Sequence, residues 1–128
     1  MSPTGIVIRS NQYTVKETID RLVVFLQQQG ATIYARINQQ SEVHNAGLKI
    51  DPLELILFGN PRAGGLVMIE NPIAAIDLPL KIIVWEDEKN KVWLAYSDGV
   101  YIEDRYSLPS ALMGLLDLEP LITKGLIG

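Results

Sequence analysis

Between Val15 and Leu26, apolar side chains recur at Val15, Ile19, Leu22, Val23 and Leu26, the spacing that lines one face of a helix. Thr14 and Glu17 precede and enter this run as a T-x-x-E capping box, in which each side chain satisfies a backbone N–H of the other residue. Gly30 stands where a left-handed C-cap is wanted, so a helix is predicted over Thr14–Gln29. The period then changes to two. Ala31, Ile33, Ala35 and Ile37 alternate with Thr32, Tyr34 and Arg36, which predicts a half-buried strand with the first set facing one way. Gly5–Arg9, with Ile6, Val7 and Ile8, predicts an earlier strand. Leu53–Phe58 predicts a strongly apolar later one, ended by Gly59, Asn60 and Pro61. Leu80–Glu86 and Lys91–Ser97 are two further strands, and the polar link Asp87–Asn90 between them marks an antiparallel hairpin.

Shorter helical pieces fill the gaps. Ser41–Ala46 has room for one or two turns, with Ser41 as cap and Gly47 as stop. Arg62–Asn71 follows a glycine-rich turn, and Val100–Tyr106 carries a second short pattern. Leu108–Leu116 is predicted as the more definite helix, since Pro109 is tolerated in a first turn; Pro120 interrupts or restarts it before Lys124. The order is β-α-β, then a strand, a short helix, a hairpin and a final helix. The fold class this predicts is α+β, a two-layer sandwich with a mostly antiparallel sheet and helices on one face. The long helix should bury its apolar stripe against Ile33, Leu55, Leu57, Ile82 or their neighbours. Several strands are apolar on both faces: Ile56 and Phe58 oppose Leu55 and Leu57, and Ile83 and Trp85 oppose Ile82 and Val84. A sheet covered on one side alternates more cleanly, so a homodimer closing over the second face is expected.

Composition narrows the functional classes. A chain of 128 residues fits one domain, taken here as residues 1–128. It has no cysteine, which excludes disulfides, thiolate metal sites and a cysteine nucleophile. The formal charge is −4, from 11 basic and 15 acidic side chains with no basic run; this speaks against a nucleic-acid partner, which needs many phosphate contacts. No stretch approaches the ~18 apolar residues of a membrane span. Met1–Arg9 lacks the pattern of a secretory leader, and a cytoplasmic location is the expectation. With a single histidine, His44, a zinc shell would need carboxylates to complete it, so neither a metal nor a cofactor is expected.

Four stretches, taken together, resemble the domain-of-unknown-function 302 family. They are Glu42-Val43-His44-Asn45-Ala46-Gly47-Leu48; Leu57-Phe58-Gly59-Asn60-Pro61; Asp77-Leu78-Pro79-Leu80-Lys81-Ile82; and Val84-Trp85-Glu86 followed by Lys91-Val92-Trp93-Leu94-Ala95-Tyr96. The resemblance runs from Gly5 to the last helix. It implies a β-α-β(4)-α fold, related in architecture to the TATA-binding-protein-like and Bet v 1-like class, and a tendency to dimerise. It implies no reaction, because none is established for the family. One departure is Val43, where the resemblance implies an acidic residue; if that acid orients the histidine, either Glu42 substitutes for it or the pairing is absent in this chain.

The candidate chemistry is sparse. His44 is the one side chain whose ordinary pKa lies near neutral pH, and it reads either as an acid or base or as a cap on a surface helix. Gly59–Gly65, with Arg62 inside it, is a turn that could offer backbone N–H groups to an anion, although neither G-x-x-x-x-G-K-[ST] nor G-x-G-x-x-G is matched. Asn60 offers both donor and acceptor before a proline that fixes the loop. Glu86 could act as acid or base; Trp85, Trp93 and Tyr96 could line a pocket or fill the core. Glu103, Asp104 and Arg105 read as a solvated helix face. His44, Phe58, Asn60, Tyr96 and Arg62 are the ligand-site candidates, expected around one cavity, with Glu86 the member most apt to fall outside it. Three readings stay open: a small-ligand-binding or sensing domain, a small enzyme using His44 and Glu86, and a dimeric interaction module.

Overall fold

A computed structural model describes residues 3–127; Met1 and Ser2 of the N-terminal stretch, and Gly128 of the domain span, lie outside it. Five strands form one antiparallel sheet: β1 (Ile6–Asn11), β2 (Thr32–Asn38), β3 (Leu53–Gly59), β4 (Leu80–Glu86) and β5 (Val92–Ser97), in the order β1-β5-β4-β3-β2. The helices are α1 (Val15–Gln28), α2 (Gln39–Asn45), α3 (Pro61–Glu70), α4 (Gly99–Arg105) and α5 (Glu119–Ile127). Two 3₁₀ segments, Pro72–Asp77 and Ser110–Leu112, complete the chain. The result is the predicted two-layer α+β sandwich.

α1 forms where its local signals place it. The Glu17 N–H donates to Thr14 Oγ1 at 3.1 Å and the Thr14 N–H to Glu17 Oε1 at 3.3 Å. At the other end Gly30, at φ +87°, lets the Ala31 N–H return to the Leu26 carbonyl at 2.9 Å. Val15, Ile19, Leu22 and Leu26 are buried on the sheet, while Val23 packs at its margin.

The strand register identifies what they pack on. One row across the sheet is Val7–Tyr96–Ile82–Ile56, the next Arg9–Leu94–Val84–Glu54, and Leu80 pairs Phe58. Directly paired residues share a face, and most of these belong to the buried core or pack against it. Ile56 and Phe58 therefore lie under α1, and the expected Leu55 and Leu57 face away. A shift of one residue reverses a strand's faces. β2 departs in a second way. Its register slips at Tyr34, so that Ile33 pairs Phe58 while Ala35 pairs Leu57 and Ile37 pairs Leu55. The predicted alternation thus breaks: Ile33 faces the helices, Ala35 and Ile37 the opposite side, and Arg36 turns to the helix side. There its guanidinium donates to Glu54 at 3.1 Å and to Asp20 at 2.7 Å.

The hairpin is held by Asp87, whose carboxylate accepts from the Trp93 indole N–H and the backbone N–H groups of Lys89 and Lys91. These donors, the indole first, keep its carboxyl below the usual range. α5 lies beside α1. Arg9 ties it to β1 by donating to Thr123 at 3.1 Å and pairing with Glu119.

The predicted helix over Leu108–Leu116 is absent. A single 3₁₀ turn, Ser110–Leu112, and a left-handed Gly114 at φ +84° carry the chain back over the core, with Leu108, Leu116 and Leu118 buried. Two contacts hold this path. Gly99 meets the Leu116 backbone so closely that a Cβ there would stand 2.8 Å from the carbonyl oxygen. Glu103, expected on a solvated face, is only 4% exposed and accepts the Gly114 N–H at 2.9 Å. Replacing Glu103 by Ala strands that N–H and is expected to cost about 1–3 kcal/mol. Glu103→Gln, which keeps an acceptor, is expected to cost less; urea unfolding of the two variants measures the difference.

Candidate functional site

The end of β3 contributes to a mainly apolar cavity. Phe58, 2% exposed, is both a core residue and a wall of a cavity of about 300 Å³. Gly59 follows, and Asn60 then caps α3. Asn60 Oδ1 accepts from the Arg62 N–H at 2.9 Å and the Ala63 N–H at 3.3 Å, and the Asn60 carbonyl takes the Gly64 N–H at 2.9 Å. Pro61, first in the helix, has no N–H to offer. Every first-turn donor of α3 is thereby used or missing, so the Gly59–Gly65 stretch is a capped helix start and presents no free backbone cradle to an anion.

The rest of the cavity comes from segments far apart in sequence. The C-terminal end of α1 contributes Leu26 and Gln29; α3 contributes Pro61, Ala63, Gly64 and Met68; the approach to β4 contributes Leu78, Pro79 and Leu80; Leu115 to Leu118 and Leu121 close it. Tyr34 stands at the rim because the β2 irregularity turns it there, its ring 3.8 Å from where a Gly59 Cβ would lie. The polar side chains in the lining are Gln29, Tyr34, Asn60 and Asp117.

The expected site residues do not converge. Phe58 and Asn60 line the cavity. Arg62 is exposed and its neighbours Pro61 and Ala63 line the wall without it. Tyr96 lies mid-sheet, paired with Ile82 and Val7, and its hydroxyl donates to Glu119; burial above all raises its pKa. His44 is exposed in the last turn of α2, which continues from the β2 end that pairs with Glu54. Asn60 leaves the other end of β3. The length of that strand, roughly 20 Å, separates the two, so His44 and Asn60 cannot serve one cavity. Glu86, paired with Val92, also belongs to the far end, in a shallow groove with Asn38, Gln40 and Leu53. The wall residues that sequence reasoning missed, Tyr34, Asp117 and Leu115 to Leu118, depend on the strand slip and on the irregular C-terminal path, and neither leaves a periodic trace.

The family model for the domain of unknown function DUF302 matches residues 6–118, and the chain belongs to that family. The crystal structure of an uncharacterized conserved DUF302 protein from Bacillus stearothermophilus superposes with a TM-score of 0.81 over 98% of both chains at 19% identity, so the two share a fold. Among proteins with names, two called fluoride-specific ion channel FluC 1 are similar. Those of Brucella suis and Brucella abortus are each 34% identical over 105 residues, which is 82% of this chain and 41% and 39% of theirs. The chain thus spans about two-fifths of the length of these relatives. Among the described residues, no helix is long and apolar enough to cross a membrane.

Asn60 acts as a helix cap in this geometry. Asn60→Ala is expected to lower stability by about 1 kcal/mol, whereas His44→Ala and Arg62→Ala, both at exposed positions, stay within about 0.5 kcal/mol of the parent. Parallel urea titrations compare all three.

Proposed function

We propose that this DUF302 domain binds a small, largely apolar molecule in the cavity at the start of α3. The observation that carries the reading is the cavity itself: a space of about 300 Å³ walled by leucines, Phe58, Met68 and two prolines, with a few polar groups at its edge. That volume is at the lower end of small-molecule sites, and the mixture of apolar walls and few polar groups is their usual character. The reading favours binding over catalysis because the acid and base candidates His44 and Glu86 belong to the other end of the sheet, which leaves Asp117 as the one carboxylate in the lining. The relatives' name raises fluoride as a ligand. Fluoride suits this cavity poorly, since no Lys or Arg lines it and the α3 donors are capped. We therefore read the domain as a holder of an apolar effector. Filling the space tests this. Gly64 lines the cavity and has room for a side chain, its nearest neighbour being Met68 Cε at 3.8 Å from a built Cβ. Compounds that raise the melting temperature of the parent are expected to leave Gly64→Leu unmoved, while Gly64→Leu itself still unfolds cooperatively. A screen in which no uncharged apolar compound shifts the parent overturns the reading.

A second reading, association of two copies, is favoured by the face of the sheet away from the helices. One row there runs Ile8–Ala95–Ile83–Leu55–Ile37 across all five strands without a polar residue, and Trp85 and Trp93 pair beside it. Leu55 and Ala95 in this row are buried within the chain, Ile8 is exposed, and Ile37, Ile83 and the two tryptophans are half-buried; two copies stacked face to face would cover what remains, as apolar patches are uncommon on monomers. Light scattering at micromolar concentration is expected to give about twice the 14.2 kDa chain mass, and Ile83→Lys to give the single-chain mass. A parent that scatters as one chain removes the idea.

A further inference from the structure

We propose that the ligand of the α3 cavity carries a protonated amine on its apolar body, an inference that rests on the binding reading above. Among the residues lining the cavity one side chain is charged, and it is the carboxylate of Asp117. Its Oδ1 accepts the Glu119 N–H at 3.1 Å, at the start of α5, and the residue is exposed at the rim. The neighbouring acid, Glu119, is already matched by Arg9 and by the Tyr96 hydroxyl, so Asp117 alone sets the sign at the rim. The exposed aromatic ring of Tyr34 belongs to the same wall, and a ring face attracts a cation. The feature that commonly draws an anion, a helix N-terminus, is present but closed, because Asn60 and Pro61 leave α3 no free donor in its first turn. An anionic ligand would therefore meet a carboxylate without compensation, a neutral one would use the walls alone, and an ammonium group gains from the walls, the Tyr34 ring and Asp117 together.

Three probes of nearly equal size separate these cases: 2-phenylethylamine, 2-phenylethanol and phenylacetate, titrated onto the intact chain at neutral pH and low salt and followed by calorimetry or NMR shifts. The amine is expected to bind about fivefold more tightly than the alcohol, the range of one exposed ion pair, and the carboxylate about fivefold more weakly. In Asp117→Asn the amide oxygen still accepts the Glu119 N–H, so the fold is kept, and the amine and the alcohol are expected to converge. Added salt should narrow the gap in the parent and leave the variant unmoved. Equal binding of amine and alcohol to the parent overturns the charge assignment and leaves the cavity reading standing. Tightest binding by phenylacetate, lost in Arg62→Ala, overturns it in favour of Arg62 reaching over the rim. Binding by none of the three overturns the assignment and the cavity reading together.

Discussion

The face that β3 turns to α1 governs the rest of the molecule. Leu53–Gly59 is apolar at four consecutive positions, Leu55 to Phe58, and burying either set of large side chains would yield a similar gain, on the order of 1.5–3 kcal/mol for each. The apolar pattern alone is degenerate, so the polar residues at the two ends decide. Glu54 shares its face with Ile56 and Phe58, and it sits on the helix side because Arg36, itself bonded to Asp20, meets it there. A buried carboxylate without that partner would be costly. At the other end, Asn60 must lie where its carboxamide can cap α3. With Ile56 and Phe58 fixed inward, Leu55 and Leu57 must face out, and the second apolar surface follows from the same choice.

The slip in β2 is the companion to that choice. With a regular register, Arg36 would point away from Asp20 and Glu54. The extra residue at Tyr34 turns Arg36 to the helix layer and, in the same step, places Tyr34 beside Gly59 at the mouth of the cavity. A strand irregularity next to a binding site commonly re-aims one side chain; here one irregularity serves a structural ion pair on one side and the cavity rim on the other. The C-terminal segment contributes the opposite wall by an equally non-repetitive route, pinned by the close approach of Gly99 to Leu116 and by the buried Glu103 carboxylate.

What the sequence made legible was what neighbouring residues decide. The capping box, the apolar stripe of α1 and the left-handed glycine act within a few residues, and each strand declared itself by composition. The face of β3 was not fixed by its own residues: Leu55 and Leu57 or their neighbours could serve as the inner set, and nothing nearby announces that Arg36 will meet Glu54 on the side of Ile56 and Phe58. The run Leu108–Leu116 has enough leucine for a helix, yet Gly114 in the left-handed region and its N–H bond to Glu103, eleven residues earlier, turn it into a wrap over the core. His44 stood out through its chemistry, being the single histidine, and chemical rarity says nothing about position. Asn60 stood out for its donor and acceptor; the structure spends the acceptor on the helix it begins.

The cavity's construction also bears on how binding would act on the domain. Leu26, Ala63, Leu80 and Leu116 come from four separate segments of the chain. Phe58 and Leu80 are core residues as well as wall, so a molecule resting on them extends the packed interior outward and meets α1, α3 and the C-terminal wrap at once. A partner that binds the folded state alone stabilises it by mass action, and contact with all four segments makes that gain depend on their being correctly placed together. The far end of the sheet, with His44 and Glu86, has no enclosed space of this kind and shares no wall with it. A site that joins separate segments and has a floor made of core side chains is suited to reporting occupancy through the order of the fold.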